Sequence, residues 1–154
     1  MVHIIMGSKS DMAVAEKAFG ILEDFGIPYA VTVASAHRTP ALVEETVKGS
    51  QAKVFIAIAG LSAALPGVVA AHTLMPVIGV PVSGKVNLDS ILSIVQMPPG
   101  IPVGSVGLDR GENAALLAAR IIAARDPRIL LKLQAHLENM REKVFRDNAE
   151  VQKE

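Results

Sequence analysis

Residues 54–81 read VFIAIAGLSAALPGVVAAHTLMPVIGVP and contain no charged side chain. The two runs 54–59 and 77–80 have the length of strands and no polar face, which is typical of a parallel sheet covered by helices on both sides. A hydropathy window would instead suggest a membrane span. Glycine and proline interrupt the stretch too often for that, at Gly60, Pro66, Gly67, Pro76, Gly79 and Pro81. We therefore predict buried strands and no membrane segment.

The same unit, an apolar run, a polar or glycine-rich loop and a helical pattern, repeats on either side of this stretch. The predicted strands are 3–6, 29–34, 54–59, 77–80 and 102–106. Helical patterns follow them over about 15–25, from Pro40 onward, and over about 65–73, 90–95 and 112–124. Gly26 ends the first helix, and Thr39 precedes a proline in the position of a helix cap. Alternating strands and helices predict the α/β class, a right-handed doubly wound sheet of five parallel strands.

The C-terminal region predicts one further helix, over about 127–152, with Asp126 as its cap. Such a helix would extend beyond the sheet, so its outer half would pack on another subunit. The alternative is a frayed, solvated tail after about Met140, because residues 141–154 are strongly charged. We find no linker and expect one domain over residues 1–154, with its core at about 2–126.

The composition excludes several classes of function. The 154 residues include 15 Lys and Arg against 15 Asp and Glu, so the zero net charge disfavours nucleic acid and anionic membranes as partners. No cysteine is present, which removes disulfides and thiolate nucleophiles, and the four scattered histidines form no metal-binding spacing. The N-terminal residues lack a signal-peptide pattern, so we expect a cytoplasmic protein. At 51% hydrophobic residues, one core cannot bury all the apolar surface, which predicts a homo-oligomer.

Three loops follow the first three predicted strands, and ligands of parallel sheets bind at that edge. The first loop, residues 7–11, joins a strand to a helix N-terminus, where backbone N–H groups favour a phosphate, and Ser8 and Ser10 add hydroxyls. Its sequence is neither GxGxxG nor a Walker loop. The equally weighted alternative is that Ser10 or Asp11 only caps the helix.

The second loop, residues 35–39, places Ser35, His37 and Arg38 together. Arginine beside serine suits phosphate recognition, and imidazole can donate and accept a proton near neutral pH. We interpret His3 and His136 as structural or solvated, and His72 as undecided.

The third loop, residues 59–67, brings glycine-rich backbone towards the same edge. Its Gly60-x-Ser62-x-Ala64 pattern is close to the nucleophile elbow of α/β-hydrolases, but we favour an ordinary loop or cap role for Ser62.

Several further motifs occur in one order along the chain, and together they carry a family resemblance. They are MGSKSD at 6–11, SAHRTP at 35–40, LPG at 65–67, PVIGVP at 76–81, DS at 89–90, SIVQMP at 93–98 and NAA at 113–115. In this combination the chain closely resembles the PurE family over about residues 2–126. The resemblance implies a flavodoxin-like three-layer αβα sandwich and a homo-octamer with active sites at subunit junctions. It also implies interconversion of N5-carboxyaminoimidazole ribonucleotide and 4-carboxy-5-aminoimidazole ribonucleotide in purine biosynthesis, with no cofactor or metal.

The resemblance also implies roles for individual residues. The nucleotide phosphate would lie among Ser8, Ser10, Ser35 and Arg38, with Asp11 near the ribose hydroxyls and His37 as the acid/base. Beyond the resemblance, we expect that backbone N–H groups from Gly60 to Ala64 hold the migrating carboxylate, which adds Gly60, Leu61, Ser62 and Ala63 to the expected site. Ser90 and residues 96–98 would complete the pocket or an interface.

One departure from the family pattern leaves an alternative open. Mutases usually carry a longer third loop with a histidine before LPG, whereas Ala64 stands there in this chain. The shorter loop resembles that of family members that carboxylate aminoimidazole ribonucleotide directly with CO₂, while Arg38, the SIVQMP match and the lack of an Arg-Ser-Asn sequence favour the mutase. A non-enzymatic flavodoxin-like binding module is a more remote alternative. Whether a separate ATP-dependent carboxylating enzyme acts upstream is left open.

Overall fold

The computed structural model describes residues 1–152 and contains five strands, six α-helices and one short 3₁₀ helix in that part of the chain. In chain order they are β1 (Val2–Met6), the 3₁₀ helix (Lys9–Asp11), α1 (Met12–Phe25), β2 (Tyr29–Val33), α2 (Pro40–Gly49), β3 (Val54–Ala59), α3 (Leu65–Ala71), β4 (Val77–Pro81), α4 (Asn87–Val95), β5 (Gly104–Ser105), α5 (Gly111–Ala123) and α6 (Pro127–Val151).

The five strands form one parallel sheet in the order β2-β1-β3-β4-β5. Ile4 of β1 pairs with Val31 of β2 on one side and with Ile56 of β3 on the other. The chain therefore reverses its direction of travel across the sheet at β1 and β3, which is where flavodoxin-like sheets bind ligands. The predicted α/β class and five-stranded parallel sheet are confirmed.

Alternate side chains of the central strands build two separate cores. Ile4, Ile56 and Ile58 pack beneath α1, α5 and α6, whereas Ile5 and Phe55 pack beneath α2, α3 and α4. Both faces of β1, β3 and β4 are buried, which explains why the sequence of residues 54–81 lacks a polar face.

Some predicted boundaries are wrong. Only Gly104 and Ser105 pair with β4, so β5 is shorter than the predicted strand 102–106; Pro102 has no N–H to donate, and this strand lies at the sheet edge. Helix α4 begins at Asn87, three residues before the predicted start, and α3 ends at Ala71 rather than residue 73.

The C-terminal helix α6 continues without a break to Val151, so the alternative of a frayed tail after Met140 is wrong. The Asp126 carboxylate accepts a hydrogen bond from the Arg128 N–H at 3.0 Å, which confirms the predicted cap. Of its side chains only Ile129 and Leu133 are buried, while the apolar residues further along are exposed, namely Leu137, Met140, Val144 and Phe145. Within residues 1–152, no helix combines the length and apolar character needed to cross a membrane.

Candidate active site at the carboxyl edge of the sheet

The three predicted loops surround one cavity of about 400 Å³. They meet because β2, β1 and β3 are neighbours and all end at the same edge, with the Gly7 N–H bonded to the Ile58 carbonyl at 3.0 Å and the Ala34 N–H bonded to the Met6 carbonyl at 3.0 Å. Nine of the predicted site residues line the cavity: Ser8, Ser10, Asp11, Ser35, His37, Arg38, Gly60, Leu61 and Ser62. The tenth, Ala63, is buried in the core below and is not part of the lining.

A larger groove of about 990 Å³ lies at the opposite, amino-terminal ends of β4 and β5. Its walls are mainly apolar and include Leu74 and Met75, and it contains none of the predicted site residues. His72 lies in this groove, which separates it from His37. The smaller cavity is therefore the one whose chemistry fits a polar substrate.

The first loop folds through its own serines and leaves its acidic side chain at the cavity. The Ser8 hydroxyl accepts a hydrogen bond from the Ser10 N–H at 3.3 Å and so caps the 3₁₀ helix, which the sequence did not predict. Asp11 occupies the cap position of α1 without a side-chain cap bond. Its carboxylate instead accepts a bond from the Ser10 hydroxyl at 3.1 Å, which leaves Asp11 directed at the cavity wall.

Burial raises the pKa of the Asp11 carboxyl, while hydrogen bonds from Ser10 and Ser8 and the positive charge of Arg38 lower it by smaller amounts. Asp11 is only 8% exposed. A carboxylate in this position is prepared to accept hydrogen bonds from hydroxyl groups of a ligand, because such bonds would compensate for its lost hydration.

The Thr39 side chain forms a hydrogen bond within the second loop and does not cap helix α2. The Thr39 hydroxyl accepts a hydrogen bond from the Ser35 N–H at 2.9 Å and has no bond to the N–H groups of α2. The expectation that its side chain caps α2 is therefore wrong, because the Ser35 backbone competes for the same hydroxyl. The result is a tight turn that presents Ser35, His37 and Arg38 to the cavity.

Arg38 joins the first two loops. Its Nη2 donates to the Gly7 carbonyl at 2.8 Å and its Nε donates to the Ser35 hydroxyl at 3.2 Å. Because both acceptors belong to the protein, the guanidinium is oriented before any ligand arrives, and its other N–H groups are available for an anion. Arg38 and the serines Ser8, Ser10 and Ser35 all line the cavity, and the Ser35 hydroxyl is in direct contact with the guanidinium.

His37 lies at the cavity wall with its imidazole exposed, whereas His3 has a structural role. The His3 ring is stacked on Phe55 with centroids 5.9 Å apart, and its two nitrogens lie 2.9 Å from the Ser50 and Thr32 hydroxyls. Burial lowers the pKa of His3. The His136 ring makes a T-shaped contact with Phe25, with centroids 5.8 Å apart, and His136 does not line the cavity.

The third loop has an unusual backbone at Ser62, whose φ of 50° lies in the left-handed region. The Ser62 N–H donates to the Asp89 carboxylate at 2.7 Å, and the Ala64 N–H donates to the Ser62 carbonyl at 2.6 Å. Two of the N–H groups expected to hold a carboxylate are therefore already bonded within the protein. The contribution of Asp89 was missed from sequence, where it was noted only as part of the DS motif.

Several other residues considered from the sequence do not contribute to this cavity. Ser90 is fully buried and donates its hydroxyl hydrogen to the Asn87 carbonyl at 2.9 Å, and neither it nor residues 96–98 line the cavity. Within residues 1–152 no hydrogen bond joins the Ser62 hydroxyl to an imidazole, so a hydrolase-type nucleophile finds no base there. The same residues contain no cluster of His, Asp or Glu that could hold a metal ion.

Comparison with known proteins relates this geometry to one group of enzymes. Residues 1–143 match the family model described as AIR carboxylase. The chain is 60% identical to the N5-carboxyaminoimidazole ribonucleotide mutase of Methanocaldococcus jannaschii, with 98% of this chain and 97% of the relative covered. The enzyme of the same name from Pyrococcus horikoshii is 50% identical, with 94% and 84% covered. The crystal structure of Treponema denticola PurE superposes with a TM-score of 0.87 at 35% identity, covering 97% and 96% of the two chains.

Proposed function

This chain belongs to the AIR carboxylase family, and we infer that it catalyses the mutase reaction of purine biosynthesis. The reaction interconverts N5-carboxyaminoimidazole ribonucleotide and 4-carboxy-5-aminoimidazole ribonucleotide. Direct carboxylation of aminoimidazole ribonucleotide, which the short third loop suggests, is not favoured, because the two relatives described above both carry the mutase name. A binding module without catalysis is not favoured for the same reason.

The observation that carries this proposal is the common cavity of the three loops. An imidazole, a guanidinium, a buried carboxyl and several serine hydroxyls share about 400 Å³ at the reversal point of the sheet. That volume lies within the usual range for a small-molecule site. The set combines donors for a phosphate with one group able to move a proton.

The nucleotide is proposed to bind through the first two loops. Ser8, Ser10 and Ser35 supply hydroxyl donors to the phosphate, and Arg38 supplies a charge-assisted bond from the N–H groups that Gly7 and Ser35 leave unused. Asp11 accepts hydrogen bonds from the ribose hydroxyls. These contacts are present throughout the reaction, so they contribute to affinity more than to the rate of the chemical step.

His37 is proposed to move the only proton that the reaction requires. The protonated imidazole donates to the exocyclic nitrogen as the N–C bond of the carbamate breaks, which leaves a neutral amine and CO₂ in the cavity. C4 of the electron-rich ring then attacks CO₂, and the neutral imidazole removes the C4 proton. The carboxylate has moved, His37 has regained its proton, and the sequence of steps needs no metal or cofactor.

The third loop is proposed to retain CO₂ between these two steps. Gly60, Leu61 and Ser62 of this loop form part of the cavity wall. Exclusion of water and retention of a reactive intermediate are the usual contributions of such a loop. Because Ser62 and Ala64 already use their N–H groups, contacts to the migrating carboxylate would come from other members of the loop.

The test uses the labelled N-carboxylated nucleotide, without ATP, metal or added bicarbonate. We expect the label to appear at C4 before it equilibrates with dissolved CO₂. His37→Asn should lower turnover about 100-fold or more while nucleotide binding persists, the loss typical of a missing acid/base. His72→Asn, in the distant groove, is the matched control and should keep turnover. Complete equilibration of the label before product forms would indicate a carboxylase, and normal turnover of the His37 variant would remove this residue from the mechanism.

The assembly is proposed to be a homo-octamer, as the family resemblance implies. The exposed apolar side chains of the outer part of α6 support a subunit contact, since a monomer would leave them in water. A stable monomer at micromolar concentration in light scattering would contradict this. We also propose that the enzyme is cytoplasmic, which fractionation of cells tests. A separate ATP-dependent carboxylating enzyme is proposed to act upstream, and a search for the N-carboxylated substrate in cell extracts tests this.

A further inference from the structure

Ser62 adopts a backbone conformation that normally favours glycine. Its φ of 50° is positive, and among residues 1–152 only Asp109 shares this feature outside glycine. For a residue with a Cβ atom this conformation costs free energy and persists only where the surroundings hold it. The contacts that Ser62 makes must therefore stabilise this conformation, and besides the Ala64 N–H within the loop one of them comes from outside it.

The stabilising contact comes from Asp89 in the first turn of α4. Its Oδ2 accepts the Ser62 N–H at 2.7 Å, across 27 residues of sequence. A charged acceptor at this distance makes a stronger bond than a neutral carbonyl does. Asp89 is absent from the lining of the cavity, so it reaches the site only through Ser62.

Helix α4 provides a rigid base for this carboxylate. Its first residue, Asn87, accepts the Gly84 N–H at 2.8 Å and the buried Ser90 hydroxyl at 2.9 Å. Further along, Ile94 is fully buried against Gly79 of β4, where a Cβ atom would lie only 2.5 Å from its Cγ2. The carboxylate of Asp89 is thus fixed relative to the sheet, and the third loop is fixed relative to the carboxylate.

We propose that Asp89 is a positioning residue for the reaction, holding Ser62 left-handed so that Leu61 and Ser62 stay over the cavity that contains His37. This inference rests on the proposed function. If the Asp89 bond is lost, Ser62 relaxes to negative φ and the adjacent wall of the cavity moves, while the first two loops and their nucleotide contacts stay in place. The loss therefore falls on turnover and on retention of CO₂, and affinity for the nucleotide is preserved.

The experiment compares four variants. Three are single substitutions, Asp89→Ala, Asp89→Asn and Ser62→Gly, and the fourth is the double variant that combines Asp89→Ala with Ser62→Gly. We expect Asp89→Ala to lower kcat about tenfold or more with KM within about threefold, the scale of a lost hydrogen bond to a charged group. Asp89→Asn keeps an acceptor and should lose less. Ser62→Gly removes the penalty for positive φ, so it should restore at least part of the kcat that Asp89→Ala loses.

Asp126→Ala is the matched control, because its carboxylate also accepts a backbone N–H, at 3.0 Å, but at the start of α6 far from the cavity. Hydrogen exchange of residues 60–65 should accelerate in Asp89→Ala and stay unchanged in Asp126→Ala. A kcat for Asp89→Ala equal to that of the control, or no gain from Ser62→Gly, overturns the proposal. If Asp89→Ala does not fold, Asp89→Asn carries the same comparison.

The exchange measurement also separates this inference from the proposed function. If the wild-type protein lacks mutase activity but residues 60–65 exchange faster in the Asp89 variants, the proposed function fails and the positioning contact stands. If the wild type is active and exchange does not change, the positioning role of Asp89 fails alone.

Discussion

Gly111 is the position where a single methyl group should damage this fold most clearly. It is the first residue of α5 and is buried against the first turn of α1. A Cβ atom at this position would lie 3.1 Å from the carbonyl carbon of Val14 and 3.4 Å from the Ala18 nitrogen, and it would overlap the Val14 carbonyl oxygen. All three neighbours are backbone atoms, so no rotamer change can relieve the clash, and α1 and α5 must separate.

The cost of Gly111→Ala follows from that separation. Overpacking a core by one methyl group costs roughly 1–3 kcal/mol, and a rigid backbone neighbour places this case near the upper end. The alanines that let the helices approach would also lose close contacts; they include Ala15, Ala114 and Ala118, all fully buried. We expect destabilisation of about 3 kcal/mol, equivalent to a fall in Tm of about 6–12 °C for a domain of this size.

Gly20→Ala is the matched control, since it places the same methyl group in the interior of α1 with no atom within 4 Å. Alanine is the better helix former, so this variant should gain about 0.5–1 kcal/mol and about 1–4 °C in Tm. Thermal and guanidinium unfolding at one fixed protein concentration measure both changes. If Gly111→Ala is as stable as the wild type, the α1–α5 spacing described above is incorrect.

Two further predictions concern charge and pH. Arg38→Ala should weaken nucleotide binding by about 10- to 100-fold in titration calorimetry, with a smaller effect on kcat, because a charge-assisted bond is lost. Arg38→Lys should recover only part of the affinity, since an ammonium cannot replace the planar guanidinium that donates to both Gly7 and Ser35. An unchanged affinity of Arg38→Ala would refute the phosphate role. Burial lowers the pKa of His3 below its ordinary value of 6.5, so between the two values the unfolded chain binds more protons and stability must fall as pH drops through that window. Denaturant midpoints between pH 5 and 8 should show this slope in the wild type and a flatter one in His3→Leu, whereas equal slopes would contradict it.

The local features of the fold could be predicted because neighbouring residues determine them. Gly26 ends α1 with a φ of 64°, and Asp126 caps α6, as their sequence contexts indicate. The extent of β5 could not be predicted in this way, since a strand exists only as far as its partner bonds to it, and β4 pairs with two of its residues. The predicted cap of α2 is absent for a related reason, because the Thr39 hydroxyl accepts its hydrogen bond from the Ser35 N–H instead.

The composition of the site is largely a sequence property, because parallel strands deliver the loops that follow them to one edge of the sheet. That rule predicts that His37, Arg38 and the serines of the first loop lie close together, and all of them line one cavity. The rule does not predict which residues within the third loop line the cavity. Ala63 is buried in the core, whereas its neighbours Ser62 and Ala64 line the cavity.

The bonds that hold the site together were decided only by the tertiary structure. Arg38 reaches the Gly7 carbonyl across 31 residues, and Asp89 reaches the Ser62 N–H across 27. Hydrogen bonding depends on distances of about 3 Å and on direction, and neither quantity is specified by spacing along a chain until the strands have paired. The sequence alone determined which chemical groups gather at the edge of the sheet, while the packing of α4 and the order of the strands determined which of them touch.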